Sequence, residues 1–238
     1  MTDYIFIGGC GHSGTSLLLK ILGLHSQVIH FYKGIKNEEN RNKIFDKENE
    51  EYIKITTRTN NTKSILLKNP SNILYIDKIR KHYKRSKIIL MYRDGRDVAL
   101  SYHRRKSFKS FKKCVIHWKD RSELILRYSN DGDVFLLKYE DLIDKKGECI
   151  KEILNFLELK DEDLLEKYND NIMPEKAEKP KNETNKIEHR ALRNWQINQS
   201  LYNSSRWEKD LNWWKKKVFY KIAGNTLTAM GYEIKSMR

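Results

Sequence analysis

Near its start the chain carries Gly8-Gly9-Cys10-Gly11-His12-Ser13-Gly14-Thr15-Ser16, with the apolar run Tyr4 to Ile7 before it and a leucine-rich stretch from Leu17 after it. A short apolar run that stops at glycines is typical of a buried parallel strand, and the leucine pattern predicts a helix. Glycines let the backbone turn tightly and approach a ligand closely. Because the N–H groups at a helix start attract anions, the sequence predicts a strand, a phosphate-binding loop and a helix.

The hydroxyl groups of Ser13, Thr15 and Ser16 add hydrogen-bond donors to this loop. The spacing from Gly9 to Gly14 is similar to the nucleotide-binding pattern G-x-x-x-x-G-K-[ST], but Thr15 stands where that pattern has lysine. In ATP and GTP enzymes the lysine reaches the terminal phosphates, so its replacement favours a shorter anion. A glycine-rich turn that binds no ligand is the alternative.

Farther along the chain, apolar runs alternate with helical patterns. Strands are predicted at 65–67, 88–92 and 134–137, and helices near 73–83, 98–100, 112–129 and 147–157. This alternation predicts an α/β fold of the P-loop type, a mostly parallel sheet with helices on both faces, in one domain over residues 1–238.

Two later regions differ in composition from the rest of the chain. A charged segment with two prolines, at about 160–190, predicts a mobile, lid-like loop. The tail is rich in tryptophan, and we expect it to pack back on the domain through Trp195, Trp207, Trp213 and Trp214.

The clearest predicted strand, 88–92, is followed by Arg93-Asp94-Gly95-Arg96-Asp97-Val98-Ala99-Leu100-Ser101. Asp94 is suited to cap a helix, and the guanidinium of Arg93 is suited to bind phosphate. Since the carboxyl ends of parallel strands meet at one crevice, Arg93 is expected at the same edge as the glycine loop. Two anion sites on one edge suit a nucleoside with phosphates at both ends. A surface salt bridge between Arg93 and Asp97 is the alternative.

Together these motifs resemble the sulfotransferases that use 3′-phosphoadenosine 5′-phosphosulfate (PAPS), over about residues 4–211. The family signatures [KR]-S-G-T-[ST], R-D-x-R-D-x-x-x-S and K-x-P are similar to His12–Ser16, Arg93–Ser101 and Lys68–Pro70. Two weaker similarities lie at Tyr139–Leu142 and Arg206–Leu211. The sequence Arg-Asp-Gly-Arg resembles the same motif in the tyrosylprotein branch of this family. The whole chain looks closer to the broad membrane and bacterial group, whose members modify glycans and peptides.

The resemblance implies transfer of a sulfuryl group from PAPS to an acceptor hydroxyl, leaving adenosine 3′,5′-bisphosphate (PAP). It implies that the loop from Gly11 to Ser16 holds the 5′-phosphosulfate. Arg93 and Ser101 would hold the 3′-phosphate, with help from Arg105. Tyr139 and Arg206 would border the nucleotide.

Sulfuryl transfer resembles phosphoryl transfer, in which positioning and charge stabilisation do most of the catalysis. Lys68 is the leading candidate for the cation that stabilises the leaving oxygen; a solvated strand-end lysine is the alternative. Pro70 is expected to keep the chain from entering a helix at once. His12 replaces the usual lysine or arginine, and we expect it to be protonated beside the bound anion. The candidates for the catalytic base are His30, Glu38, Glu39 and His103.

The formal net charge of +15 favours anionic partners. A basic stretch that begins beside the proposed site suggests an acidic glycan or peptide as acceptor, although a solvated helix face explains it equally well. Its members are Arg104, Arg105, Lys106, Lys109, Lys112, Lys113, Lys119 and Arg121. Phe108 and Phe111 lie within the stretch, and stacking aromatics among basic residues would suit nucleic acid. We expect nucleic-acid binding to be weak and nonspecific.

The remaining sequence features bound the alternatives. A P-loop kinase-like enzyme would need Mg²⁺ and the missing loop lysine, and the histidines and cysteines show no metal-ligand spacing. The sequence has no run of 18 apolar residues, so no membrane span is expected, and no secretory signal is recognised before the first predicted strand. Three scattered cysteines indicate free thiols. From these features we expect a cytoplasmic protein.

Overall fold

The computed structural model describes residues 3–31, 63–170 and 205–234. Within these residues five strands form one sheet in the order β2-β3-β1-β4-β5, and every pairing is parallel. The strands are β1 (Asp3–Gly9), β2 (Val28–Phe31), β3 (Ser64–Lys68), β4 (Ser86–Tyr92) and β5 (Val134–Lys138). All their carboxyl ends therefore lie at one edge of the sheet, as the strand pattern predicted. The pattern missed β2.

The helix predicted after the glycine loop and those predicted near 73–83, 98–100, 112–129 and 147–157 are present, whereas the helices at 139–144, 164–170, 207–210 and 213–229 were not predicted. The helices of the described residues are α1 (Thr15–Leu22), a 3₁₀ helix (Pro70–Tyr75), α2 (Ile76–His82), α3 (Gly95–Arg104), α4 (Phe111–Arg127), α5 (Tyr139–Asp144), α6 (Lys146–Leu157), α7 (Leu164–Asp170), α8 (Trp207–Asp210) and α9 (Trp213–Ala229). Pro70 does not delay helix formation. It is the first residue of the 3₁₀ helix, a position that does not need an N–H group.

Helices cover both faces of the sheet, because successive side chains of a strand point to opposite faces. Phe6 and Leu90 join a core with residues of α3, α4 and α9. Ile7 and Met91 join a second core with residues of α1 and α6. The four side chains are fully buried. The predicted two-sided α/β fold is confirmed.

The loop predicted at about 160–190 is wrong in its first part. Residues 164–170 form α7, which buries Leu164 and Tyr168 in the same core as α1 and α6. Part of the polar composition that suggested a loop lies on the exposed side of this short helix, at Glu166 and Asn169, and both prolines lie outside the described residues. Residues 171–190 lie outside the described residues.

The tail packs back only in part. Trp207 is buried, but Trp213 is 48% and Trp214 is 66% exposed. Their two rings contact each other edge to face at the start of α9. Trp195 lies outside the described residues. None of the helices in residues 3–31, 63–170 and 205–234 has both the length and the apolar character that crossing a membrane requires.

Candidate active site

The glycine loop packs closely on two aromatic rings. Gly14 has a φ of 85°, and a Cβ placed on it would lie 2.5 Å from the ring of Tyr139 at the start of α5. A Cβ on Gly11 would overlap the hydroxyl of Tyr102, which α3 supplies. Only glycine fits at either position, so the loop is held against the carboxyl ends of β4 and β5 and against α3.

The hydroxyl groups of the loop differ in exposure. Ser13 is fully buried, and its Oγ has no hydrogen-bond partner among the described residues. Thr15 is also buried, whereas Ser16 is half-buried. A buried hydroxyl without a partner costs about 1–3 kcal/mol, and the position of Ser13 in the glycine loop makes its hydroxyl available to a polar ligand there.

His12 contacts two residues of α3 and the turn after it. Its ring lies edge to face on Tyr102, with 4.4 Å between the ring centres. Its Nδ1 lies 3.1 Å from Nη1 of Arg105. A guanidinium has only donors, so Nδ1 can accept this hydrogen bond only in its unprotonated form. The expected protonation of His12 concerns the protein with a bound anion, so it stays a prediction.

Arg93 is the first residue after β4, and its side chain is buried. Its Nη2 donates to Oδ2 of Asp97 over 2.9 Å, and its guanidinium lies 4.2 Å from the centre of the Tyr139 ring. The salt bridge with Asp97 forms as the alternative proposed, but it is not on the surface: the two side chains are 7% and 0% exposed. Since Tyr139 also contacts Gly14, one ring joins the glycine loop to Arg93.

Asp97 also anchors the segment that carries Arg206. Its Oδ2 accepts from the N–H of Ser205 (3.0 Å), and its Oδ1 accepts from the N–H of Trp207 (2.9 Å). Arg206 is thereby held near Arg93; burial and that neighbouring guanidinium lower the pKa of Arg206. Its Nε has no hydrogen-bond partner among the described residues. Two adjacent guanidinium groups in a buried place favour an anion between them.

Helix α3 connects the two ends of the site. Asp97, Ser101 and Arg105 follow one another at intervals of four residues, so they lie along one side of the helix and the turn that ends it. A helix rises about 1.5 Å per residue, which places Arg105 roughly 12 Å from Asp97 along the axis. Arg93 contacts the start of this helix and His12 contacts its end. The two predicted anion sites therefore share one edge of the sheet.

Lys68 is the last residue of β3 and lies opposite Ile7 of β1. Two amides hold the backbone beside it: the N–H of Asn69 donates to the carbonyl of Ile7 (3.1 Å), and so does Nδ2 of the buried Asn72 (3.0 Å). The Lys68 side chain is half-buried. The predicted cation thus leaves the same edge as the glycine loop, one strand away from it.

The two described candidates for the catalytic base, His30 and His103, contact residues outside the glycine loop. His30 packs against Gly23, at the far end of α1 from the loop. His103 contacts Phe111 with 5.6 Å between ring centres, and burial together with Lys215 lowers the pKa of His103. Glu38 and Glu39 lie outside the described residues.

The second arginine of the motif has a structural role that the sequence did not reveal. Arg96 donates to Asp94 over 2.7 Å and lies 3.7 Å above the ring of Trp207. Asp94 in turn caps α3 and donates its N–H to Glu140, whose other oxygen accepts from the hydroxyl of Tyr232. Burial raises the pKa of Glu140. This network fixes the loop after β4, and its long-range partners left no local signal.

The comparison with known proteins identifies the class. A family model described as the sulfotransferase family matches residues 30–163, more than half of the chain. The chain belongs to the sulfotransferase family. A Caenorhabditis briggsae protein, named as a protein-tyrosine sulfotransferase, is 28% identical to this chain over 182 residues. The match covers 65% of this chain and 65% of that relative.

Solved structures have the same fold. A sulfotransferase domain from the curacin biosynthetic pathway aligns with a TM-score of 0.61 at 15% identity, covering 99% of both chains. A mouse sulfotransferase complexed with PAP aligns with a TM-score of 0.61 at 15% identity, over 97% of this chain and 88% of that one. The sulfotransferase domain of the Synechococcus PCC 7002 olefin synthase gives 0.59 at 13% identity, over 99% and 96%. At these identities the likeness concerns the fold alone.

Proposed function

We propose that this protein transfers a sulfuryl group from PAPS to an acceptor hydroxyl. One observation carries the proposal: the ring of Tyr139 contacts Gly14 of the glycine loop and the guanidinium of Arg93, so two anion sites meet at one edge. Such a pair suits a nucleotide with one phosphate at each end. Membership of the sulfotransferase family supports the same conclusion.

The residues present fit this nucleotide. The partnerless hydroxyl of Ser13 and the backbone around Gly14 are suited to the 5′-phosphosulfate. At the other end, Arg93, Arg206 and Ser101 are suited to the 3′-phosphate, whose charge would relieve the repulsion between the two guanidinium groups. Buried donors without partners indicate a site built for an anion rather than a rigid glycine turn.

When bound, PAPS supplies an activated sulfuryl group, whose S–O bond to the 5′-phosphate breaks as the acceptor oxygen bonds to sulfur. Lys68 would neutralise the charge that develops on the leaving phosphate oxygen, and Ser13 would donate a hydrogen bond to the same group. The acceptor proton would go to one of the four predicted bases, His30, Glu38, Glu39 and His103, of which the structure describes the two histidines. The protein's contribution is mainly orientation and fixed charge.

The acceptor is proposed to be a hydroxyl of a peptide or a glycan. The name of the C. briggsae relative favours the phenol of a peptide tyrosine. Exposed Lys109, Lys112 and Lys113, at the start of α4 and close in sequence to Arg105, favour an acceptor with acidic groups near that hydroxyl.

Two other functions find less support. In a P-loop kinase-like enzyme a carboxylate at a strand end would bind Mg²⁺, but Asp94 is held by Arg96 and Glu140 by Tyr232. A nucleic-acid-binding protein would need stacking surfaces in the basic stretch. There, Phe111 is buried and Phe108 packs against the ring of His117.

The nucleotide is tested by calorimetry with PAP and ATP, each without Mg²⁺. PAP should bind at least about tenfold more tightly than ATP, and Arg206→Gln should weaken PAP about tenfold, the loss expected for one charge-assisted hydrogen bond. Arg85→Gln is the matched control, because Arg85 is exposed, pairs with Asp3 and lies before β4 at the opposite edge of the sheet. Tighter binding of ATP with Mg²⁺ would reject the proposal. Labelled PAPS with an acidic tyrosine peptide and a uronate-bearing glycan then distinguishes the two acceptor classes.

We also propose that the protein works in a reducing compartment such as the cytoplasm. Its three cysteines, Cys10, Cys114 and Cys149, are all buried free thiols. Burial raises the pKa of Cys10 to about 12, so this loop thiol is inert. Fractionation of cells expressing the full-length protein tests the location; recovery from a secretory compartment would reject it.

A further inference from the structure

The histidine at position 12 is the one departure from the cationic residue that the loop motif calls for. The contact that defines its state comes from outside the loop. Nη1 of Arg105 lies 3.1 Å from His12 Nδ1. A guanidinium is a donor with no acceptor atoms and stays charged at all working pH values, so the direction of this hydrogen bond is fixed by chemistry.

We infer that Arg105 holds His12 as the neutral tautomer with its proton on Nε2, and that Arg105 itself supplies the positive charge that position 12 lacks. The bond occupies Nδ1, so the ring's remaining proton lies on Nε2 as a donor. An imidazolium would need a proton on Nδ1, which removes the bond and places two positive groups about 3 Å apart. His12 thus accepts a hydrogen bond from Arg105 through Nδ1 and offers its Nε2 proton as a donor to the loop, while its ring stays neutral.

The backbone and the neighbouring ring support this arrangement. His12 has a φ of 68°, in the left-handed region that is unusual for a residue other than glycine. Its ring lies edge to face on Tyr102, one turn before Arg105 in α3. The Tyr102 ring and the Arg105 bond therefore fix both the plane of the imidazole and the nitrogen that accepts.

Other titratable groups pack around the same place. Tyr102 faces the ring from α3, and burial raises the pKa of its hydroxyl. Cys10 of the loop lies 4.0 Å from the Tyr102 hydroxyl. From α4, His117 packs on Tyr102 at 5.2 Å, and burial followed by the charge of Arg121 lowers the pKa of His117.

The tautomer is tested by ¹⁵N NMR of the imidazole nitrogens in the full-length protein without nucleotide. The chain has seven histidines, and His12→Gln assigns the signal. In the wild type, Nδ1 of His12 should keep the shift of an unprotonated nitrogen from pH 8 to pH 6. In Arg105→Gln it should move to the imidazolium position with a midpoint near 6.5, the ordinary histidine value. Arg105→Lys should restore the wild-type behaviour, because an ammonium also donates and stays charged.

Arg104→Gln is the matched control, since it removes a neighbouring charge that pairs with Asp210 and should leave the His12 signal unchanged. Titration of His12 near pH 6.5 in the wild type would overturn the inference. So would a His12 that stays neutral in Arg105→Gln, because Arg105 would then not be the cause.

The consequence for the anion rests on the proposed function and has its own readout. PAP affinity of Arg105→Gln should be about tenfold weaker than wild type at pH 8, the loss expected for a charge-assisted bond, and should partly recover at pH 6 as His12 gains a proton. Wild type and Arg104→Gln correct for titration of PAP itself. Equal pH dependence in all three proteins would contradict this arrangement. If wild type bound no PAP, the proposed function would fail, whereas the NMR result would still decide the tautomer.

Discussion

Ser13 and Ser122 are both fully buried, and neither hydroxyl has a hydrogen-bond partner among the described residues. Ser13 lies in the glycine loop, whereas Ser122 lies inside α4. In the unliganded protein, alanine at either position removes an unpaired buried oxygen, which is neutral or favourable to stability. If Ser13 is an anion ligand, the two substitutions differ only in binding.

We therefore expect Ser13→Ala to keep or raise the melting temperature and to weaken PAP binding about tenfold, as loss of a hydrogen bond to a charged group does. Ser122→Ala should match it in stability and leave PAP binding unchanged. Differential scanning fluorimetry and calorimetry measure the two quantities. Unaltered PAP affinity in Ser13→Ala would show that its hydroxyl does not contact the nucleotide.

At the scale of single residues, the sequence predicts what a local motif contains. The loop residues and Arg93 were predicted because each follows an apolar strand, and the structure brings the two strand ends to one edge. The second role of Asp97 could not be found, because its partners Ser205 and Trp207 lie 108 and 110 positions away. The Arg105 contact with His12 spans 93 positions and was equally hidden.

The start of α3 depends on a close contact with α4. Gly95 leaves no room for a side chain, because a Cβ there would overlap the buried ring of Trp118. Trp118 also donates its Nε1 hydrogen to the carbonyl of Arg93 over 3.2 Å. The fit between the two helices thus fixes the backbone that presents Arg93 to the site.

Gly95→Ala should destabilise the protein by about 1–3 kcal/mol through overpacking, and should also weaken PAP binding as Arg93 moves. Gly147→Ala is the matched control. Gly147 lies in the first turn of α6 with open space around it, so alanine should stabilise by about 0.4–1 kcal/mol through lower chain entropy. Urea unfolding of both variants provides the comparison. A Gly95→Ala protein as stable as wild type would disprove the helix fit.

A carboxylate ties the turn after α1 to α7. Glu162 accepts from the N–H of Ser26 (3.2 Å) and from Nζ of Lys167 (2.6 Å). Burial opposes ionisation, but these hydrogen bonds outweigh it and lower the pKa of Glu162 to about 2, from an ordinary value of 4.5. A depressed pKa means that the ionised form stabilises the fold above pH 4.5, and that this contribution disappears between about pH 4.5 and pH 2.

Glu162→Gln should therefore lower the melting temperature at pH 6 by about 2–4 °C, the shift for roughly 1 kcal/mol in a protein of this size. The difference from wild type should shrink steadily as the pH falls from 4.5 towards 2. Thermal unfolding followed by circular dichroism in that range measures it. A constant difference at all pH values would mean that the charge of Glu162 does not contribute.

At the scale of elements, apolar runs predicted β1, β3, β4 and β5, because buried parallel strands are apolar on both faces. They missed β2, which has four residues and lies at the sheet edge. They also missed α7, since the buried pair Leu164 and Tyr168 gives too weak a period to compete with a polar composition. Elements whose stability comes from distant contacts leave the faintest local pattern.

Over the whole molecule, the basic residues behind the net charge of +15 differ in whether they have a partner in the fold. Several members of the basic stretch have partners in the fold: Arg104 pairs with Asp210, Lys119 with Glu123, and Arg105 with His12. Lys109, Lys112 and Lys113 instead lie exposed around the start of α4, close in sequence to the end of α3 where Arg105 meets the glycine loop. The solvated-face alternative therefore applies to these three lysines, as it does to exposed Lys106, and a kinetic comparison of variants decides it.

Changing these three lysines to glutamate should raise the acceptor KM about tenfold for an acidic acceptor, because a positive field concentrates anionic partners by 10-fold or more. The effect should shrink in 0.5 M salt, which screens exposed charges, while PAP affinity stays the same. Glutamates at Lys78, Lys81 and Lys84 are the matched control: these lysines are equally exposed but lie before β4, at the opposite edge of the sheet. Equal KM values in the two triple variants would assign the lysines to solubility alone.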